Sequence, residues 1–183
     1  MAINLDKPQR WKEDVARSVD MYNQWFLDFA PGTFRATRIS ATASVEASLL
    51  VTSYLRDIRP QTMRETPSIL ATLRMATCPP LAVDRLIGLA GVNPSLVKTM
   101  EKDNRLPVRM AADVLDRELQ KIGEIVERMA DPDIFVWLAR GDEPKQEEIH
   151  RAATIVADRL CGAQANPIIR NEQEKRQDRK SVV

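Results

Sequence analysis

The strongest candidate for catalytic chemistry in this sequence is a pair of short strings that begin at Pro132 and Glu143. Pro132-Asp133 precedes Glu143-Pro144-Lys145, which gives the form PD…ExK. In that pattern two carboxylates hold Mg²⁺ while the lysine helps to position an attacking water. The chemistry requires the second string on a rigid strand, but here it falls in a loop and helix start, with proline in the middle position. The pattern therefore predicts no catalytic role for these residues.

The sequence offers little else for catalysis or metal binding. It contains one histidine and two cysteines, Cys78 and Cys161, which are too few for a structural zinc site. It has no glycine-rich phosphate loop, and no serine or cysteine has a histidine partner at a suggestive spacing. We expect Cys78 to be buried and inert. We therefore predict no catalytic residue and no metal ligand in this chain.

Residues 84–109 have the form of a helix-turn-helix. A short helix runs up to Gly91, and Asn93-Pro94 begins a second one, because asparagine is a good N-cap and proline fits the first helical position. Ile87 is bulky where such motifs usually have a small residue, so an ordinary helical corner is the alternative. Apolar side chains at three- and four-residue spacing are predicted to pack the corner: Leu86, Ala90, Val92, Val97 and Met100.

Polar side chains on the outer side of the second helix and just after it are the candidate DNA-binding residues. Such a helix can enter a major groove. A run of basic residues at this position is also typical of an ordinary solvated helix face. The predicted DNA-binding set is Ser95, Lys98, Thr99, Lys102, Arg105 and Arg109.

The composition is that of a globular protein. A chain of 183 residues is long enough for one domain with a substantial core, and 44% hydrophobic with 29% charged residues argues against disorder. The formal net charge is only +1, so no global basic field indicates nucleic acid. The sequence has no N-terminal apolar run and no stretch that approaches a membrane span. We expect a cytoplasmic protein without a membrane partner.

The periodic apolar runs have helical spacing, and several predicted helices begin at a proline. The first, residues 7–29, carries a stripe of aromatic side chains that we expect to anchor a core, and Pro31-Gly32 should end it. Residues 40–57 are ambiguous and are interpreted as helix. With no hairpin signal between the runs, the sequence predicts an all-α fold, a multi-helix orthogonal bundle with a helix-turn-helix-like corner as a candidate feature.

The end of the chain has an unusual pattern. A last helix is predicted to begin at Asn166-Pro167, and after Ile169 it has no apolar residue until Val182. A helix that is polar all round is either exposed to solvent or lacks its partner. We therefore expect a helical N-terminal domain over residues 1–165. Residues 166–183 are then the start of a truncated helix, or of a linker toward a missing catalytic domain.

Four long strings give the chain a resemblance to the XamI family of type II restriction endonucleases, in its N-terminal portion. They cover distinctive segments rather than one short motif. The strings are SVDMYNQWFLDFAPGTFR (18–35), LRMATCPPLAVDRLIGLAGV (73–92), DPDIFVWLARG (131–141) and RAATIVADRLCGAQANPIIRNEQEKRQ (151–177).

The resemblance implies a bacterial enzyme that cleaves palindromic double-stranded DNA of the GTCGAC type and works beside a methyltransferase. It also implies Mg²⁺ as the cofactor of the full-length enzyme, whereas we expect no cofactor in this chain. We expect a homodimer as the assembly. The nuclease core of such enzymes is expected downstream, so no catalytic residue is carried over to these 183 positions.

Two other functions stay open from the sequence. One is a stand-alone helix-turn-helix module that binds a palindrome as a dimer, and the other is a helical domain whose role is subunit contact. The unfinished last helix favours the restriction endonuclease, because a self-contained module should end with its apolar face covered.

Overall fold

The computed structural model describes residues 7–181, with side chains up to residue 176, and this range is all-α, as predicted. Its only β feature is an isolated antiparallel bridge between Thr77 and Ala130. The helices are α1 (Pro8–Val51), α2 (Pro60–Glu65), α3 (Ile69–Met75), α4 (Val83–Ala90), α5 (Pro94–Asp103), α6 (Ala112–Met129), α7 (Val136–Arg140) and α8 (Gln146–Ser181).

The chain forms two compact units. One consists of Ile39–Leu160, and the other combines Met1–Arg38 with Cys161–Val183. The boundaries fall inside α1 and α8, so the first unit is one continuous stretch of sequence and the second is made of two segments that are distant in sequence.

The unit Ile39–Leu160 has a conventional apolar core. Helix α6 supplies one buried face, with Leu119 and Ile122 inaccessible to solvent. On the same helix, a β-carbon at Gly123 would lie 2.5 Å from the carbonyl oxygen of Ile58, so only glycine allows the backbones to approach this closely. The indole N–H of Trp137 donates to the carbonyl of Tyr54 at 2.9 Å, which satisfies the one polar atom of a fully buried ring.

The unit of residues 1–38 and 161–183 joins the first part of α1 to the second part of α8. The Tyr22 hydroxyl donates to Gln173 Oε1 at 3.3 Å. The buried Cys161 thiol lies 3.3 Å from the Phe34 carbonyl oxygen, its hydrogen-bond acceptor. The earlier residue of α1 thus contacts the later residue of α8, and the later residue of α1 contacts the earlier one of α8. The two helices therefore run antiparallel within this unit.

Proline ends neither long helix, which contradicts the sequence prediction. Pro31 lies inside α1 and Pro167 lies inside α8, so the expected stop at Pro31-Gly32 and the expected start at Asn166-Pro167 are both wrong. A proline in a helix interior removes one hydrogen bond and costs about 3 kcal/mol. Packing of neighbouring residues can outweigh that cost. Ala30, one residue before Pro31, and Ala165, two residues before Pro167, are both buried.

Two burial predictions are also wrong. The aromatic stripe of the first helix does not anchor a core, because Trp11, Tyr22 and Phe26 are exposed. Cys78 is exposed as well, since it lies in the loop between α3 and α4 rather than on a buried helix face.

In the described range, no helix combines the length and the apolar character that crossing a membrane requires.

Candidate nucleic-acid interface

The predicted corner between α4 and α5 is present. Helix α4 ends at Ala90, and Gly91 follows with φ +60°, a left-handed conformation that favours glycine. The Asn93 side chain caps α5 by accepting a hydrogen bond from the backbone N–H of Ser95 at 2.8 Å. Pro94 occupies the first helical position, where no intrahelical partner for an N–H is available. Local sequence signals thus determine this corner.

The apolar residues that were predicted to pack the corner are all buried. Leu86 and Ala90 come from α4, and Val97 and Met100 come from α5. Val92, in the connection, is also buried, at 6% exposure. Because this inner side is filled, the opposite side of α5 is free to face solvent.

The six predicted DNA-binding residues lie at the surface, to different degrees. Ser95, Lys98 and Lys102 are exposed on α5, and Thr99 is half-buried. Arg105 and Arg109 are exposed in the segment that follows the helix. Helix α5 therefore has a polar outer face, and the basic side chains that follow the helix extend this face.

Two of the basic side chains have acidic neighbours. Lys98 Nζ lies 3.7 Å from Asp84 Oδ1 on α4, and Arg105 Nη2 lies 3.4 Å from Asp103 Oδ2. Exposed pairs of this kind contribute at most about 1 kcal/mol, so a phosphate can compete for either cation. Lys102 and Arg109 form no ion pair with any residue of the described range.

The inner edge of α5 is held by charged groups that the sequence analysis did not single out. The guanidinium of Arg74 on α3 pairs with the carboxylate of Glu101 on α5, with its Nε 2.5 Å from Oε1. The same guanidinium donates to the carbonyl of Leu81. At the other end of the corner, the Asn93 N–H donates to Glu118 Oε2 on α6 at 3.0 Å. The carboxylate of Glu101 is therefore paired with Arg74 of α3.

The PD…ExK string has structural contacts instead of a metal-binding arrangement. Glu143 is paired with Arg56, and the carbonyl of Asp133 accepts a hydrogen bond from Arg151. Within residues 7–181, no three acidic, histidine or cysteine side chains lie close enough together to hold a metal ion. The residues of the PD…ExK string thus show no arrangement that fits the Mg²⁺ that the family resemblance implies.

Lys145, the last residue of that string, immediately precedes α8. Its N–H donates to Glu148 Oε2 at 2.9 Å, the reciprocal half of a helix capping box. The Arg140 guanidinium, and then this N–H, lower the pKa of Glu148 to about 2. In return, hydrogen bonds to Glu148 and Asp142 raise the pKa of Arg140.

This geometry defines a helical protein in which the corner between α4 and α5 has an outer face of hydroxyl and basic side chains. Residues 53–182 match the XamI restriction endonuclease family, and the chain belongs to that family. It is similar to the type II restriction enzyme SalI of Streptomyces albus G, with 50% identity over 177 residues. That alignment covers 96% of this chain but 55% of the relative, so the chain spans little more than half of its length. No solved structure matches the chain.

Proposed function

We propose that this chain is the DNA-contacting helical part of a type II restriction endonuclease that acts on palindromic double-stranded DNA. Family membership and the similarity to a type II restriction enzyme support the enzyme class. The outer face of α5 carries the proposal for this chain, because it presents Ser95, Lys98 and Lys102 to solvent beside a packed corner. The cytoplasm, where bacterial DNA lies, is the compartment that this function requires.

Within this proposal the residues of the corner have two roles. Ser95, Lys98 and the accessible part of Thr99 occupy the first turns of α5, from which a recognition helix contacts base edges. Lys102, Arg105 and Arg109 lie at and beyond its end, where basic side chains contact phosphates. Phosphate contacts supply most of the salt-dependent affinity, and contacts to base edges supply discrimination between sequences.

We assign no catalytic residue and no Mg²⁺ ligand to this chain. Hydrolysis of a phosphodiester by a bound metal needs at least two oxygen ligands on a rigid element and a group that orients the water. Glu143 is instead paired with Arg56. In this proposal no residue of this chain is assigned to the family's Mg²⁺, and the active assembly is a homodimer that matches the two-fold symmetry of a palindrome.

The experiment is a binding titration on a duplex that contains GTCGAC, with fluorescence anisotropy measured from 50 to 200 mM salt. The double variant Lys98→Glu/Lys102→Glu should bind at least about tenfold more weakly. Its plot of log K against log salt should lose at least about 0.9 from the slope, because Lys102 is assigned to phosphate and each phosphate contact contributes about 0.9. A control with the same change in charge, Lys145→Glu/Lys175→Glu, alters two exposed lysines outside α4 and α5.

Equal binding by the α5 variant and its control would reject the corner as the DNA surface. Purified chain should also leave a plasmid that contains GTCGAC uncut when Mg²⁺ is added. Site-specific cutting that Asp133→Ala and Glu143→Ala both abolish would overturn the assignment and make the PD…ExK string the active site. We expect the chain to bind the GTCGAC duplex and to leave the plasmid uncut.

A further inference from the structure

The first part of α1 exposes an apolar stripe that nothing in the proposed DNA contact uses. The stripe consists of Trp11, Val15, Val19, Tyr22 and Phe26, at a spacing of three or four residues. Each of these side chains is between 36% and 51% exposed. Isolated exposed apolar residues are ordinary, but a contiguous row of five on one helix face marks an interaction surface. We propose that this stripe docks against the same stripe of a second copy of the chain, with the two helices antiparallel.

The rings at one end of the stripe have neighbours within the chain. Tyr22 and Phe26 lie 6.2 Å apart between ring centroids, and beside the stripe Trp25 stacks on Phe29 at 5.4 Å. The hydroxyl of Tyr22 is held by Gln173 on α8. Side chains that are fixed before association lose little conformational entropy on docking, so more of the burial energy is available for binding.

The area of the stripe is close to what a small specific interface needs. A fully buried aromatic side chain contributes about 200 Å² and valine contributes less, so five side chains that are between 36% and 51% exposed offer about 400 Å² from each copy. Two copies then bury about 800 Å², and the polar rim of the two helices brings the total to about 1,000 Å², the lower limit for a specific interface. We therefore expect a dimer with a dissociation constant in the micromolar range.

The charges of this segment favour a second copy over nucleic acid or an anionic surface. Residues 7–29 contain four basic and four acidic side chains, so the segment has no net charge and does not repel itself. No residue of the stripe is charged, which leaves nothing to pair with phosphate. The basic residues are Lys7, Arg10, Lys12 and Arg17, and the acidic residues are Glu13, Asp14, Asp20 and Asp28.

The order of these charges selects the antiparallel arrangement. Residues 7–17 have a net charge of +2, from four basic and two acidic side chains, and residues 18–29 have a net charge of −2, from two acidic side chains. A two-fold axis near Ser18 and Val19 places each positive half beside the negative half of its partner. The small side chains at that point also allow the helices to approach, with Trp11 of each copy facing Phe26 of the other.

Substitution at the two-fold axis tests the proposal on the full chain. Analytical ultracentrifugation from 1 to 200 µM should show a monomer–dimer equilibrium, and Val19→Glu should raise the dissociation constant on the order of 100-fold, because each dimer would bury two unpaired carboxylates. Leu27→Glu is the matched control, since Leu27 is 66% exposed on the same helix but lies outside the stripe. Circular dichroism verifies that both variants remain helical.

A cysteine at the axis gives a second, independent measurement. In a Cys78→Ser background, which removes the exposed native thiol, Val19→Cys should form a disulfide-linked dimer on mild oxidation, whereas Leu27→Cys should not. A chain that is monomeric at every concentration, or a dimer that Val19→Glu leaves intact, overturns the proposal. A monomer would mean that something other than a second copy covers the stripe. The inference rests on the homodimer of the proposed function, but neither result depends on DNA, so the DNA surface on α5 is tested separately.

Discussion

Arg74 of α3 and Glu101 of α5 are joined by two parallel hydrogen bonds, although 27 residues separate them in the chain. The guanidinium is almost inaccessible to solvent, and its remaining nitrogen donates to the carbonyl of Leu81. The backbone carbonyl of Arg74 in turn accepts from the N–H of Leu81 at 3.0 Å. This one side chain therefore joins α3, the loop before α4, and α5.

Breaking this ion pair should destabilise the fold. Arg74→Met leaves a mostly buried carboxylate without its partner, which typically costs about 3 kcal/mol. The double variant Arg74→Met/Glu101→Leu should recover most of that loss, because it removes both charges. Urea denaturation measures each free energy of unfolding. Arg117→Met, which breaks an exposed pair with Asp113, is the control and should cost less than about 0.5 kcal/mol. A double variant as unstable as the single one would show that packing, not the charge, matters at this position.

Gly123 should not tolerate a methyl group. A β-carbon there would lie 2.5 Å from the Ile58 carbonyl oxygen, which is backbone and cannot rotate away. We expect Gly123→Ala to reduce the free energy of unfolding by about 1–3 kcal/mol. Gly88→Ala is the matched change inside α4, where nothing lies within 4 Å of the added atom, and it should stabilise by up to about 1 kcal/mol. Thermal melts that move in the same direction for both variants would contradict this interpretation.

The corner could be predicted from the sequence because its signals are local. A glycine that ends one helix, an Asn-Pro pair that begins the next, and apolar spacing within each helix all act over a few residues. The same reasoning located the buried residues of the corner correctly, including Val92 in the connection.

The rest of the fold depends on contacts that are distant in sequence. Nothing near Arg74 indicates that Glu101 will be its partner. Pro31 is an ordinary signal for a helix end and Asn166-Pro167 for a helix start, yet both prolines lie inside continuous helices, near the buried Ala30 and Ala165. A helical stripe such as Trp11 to Phe26 predicts an apolar face, but it does not indicate whether that face packs within the chain.

Removing the acidic neighbour of Lys98 should strengthen DNA binding if α5 contacts DNA. Asp84 lies 3.7 Å from Lys98 and is itself exposed, so its carboxylate competes with phosphate for the ammonium group. Asp84→Asn should lower the dissociation constant by up to about fivefold, which corresponds to the upper end, about 1 kcal/mol, of what an exposed pair contributes. The gain should shrink as salt rises. Asp113→Asn, which frees an arginine on α6, is the control and should change the affinity little. An unchanged affinity for Asp84→Asn would count against Lys98 as a phosphate or base contact.

The start of α8 should give a contribution to stability that disappears at low pH. The Arg140 guanidinium, together with the N–H of Lys145, lowers the pKa of Glu148 to about 2 from an ordinary value of 4.5. Because the folded state favours the charged carboxylate, the contribution is fully present above pH 4.5. It is lost as the pH falls from 4.5 to about 2.

Glu148→Gln tests whether the charge of Glu148 supplies this contribution to stability. The amide oxygen can still accept a hydrogen bond from the Lys145 N–H, while the charge opposite Arg140 is removed. The variant should melt at a lower temperature than the parent protein at pH 6, and the difference between the two should narrow steadily between pH 4.5 and pH 2. Glu147→Gln, one residue earlier in the first turn of α8, is the control, since no ion pair to Arg140 is removed. A difference for Glu148→Gln that stays constant over this pH range would show that the carboxylate acts through its shape or its hydrogen bonds rather than through its charge.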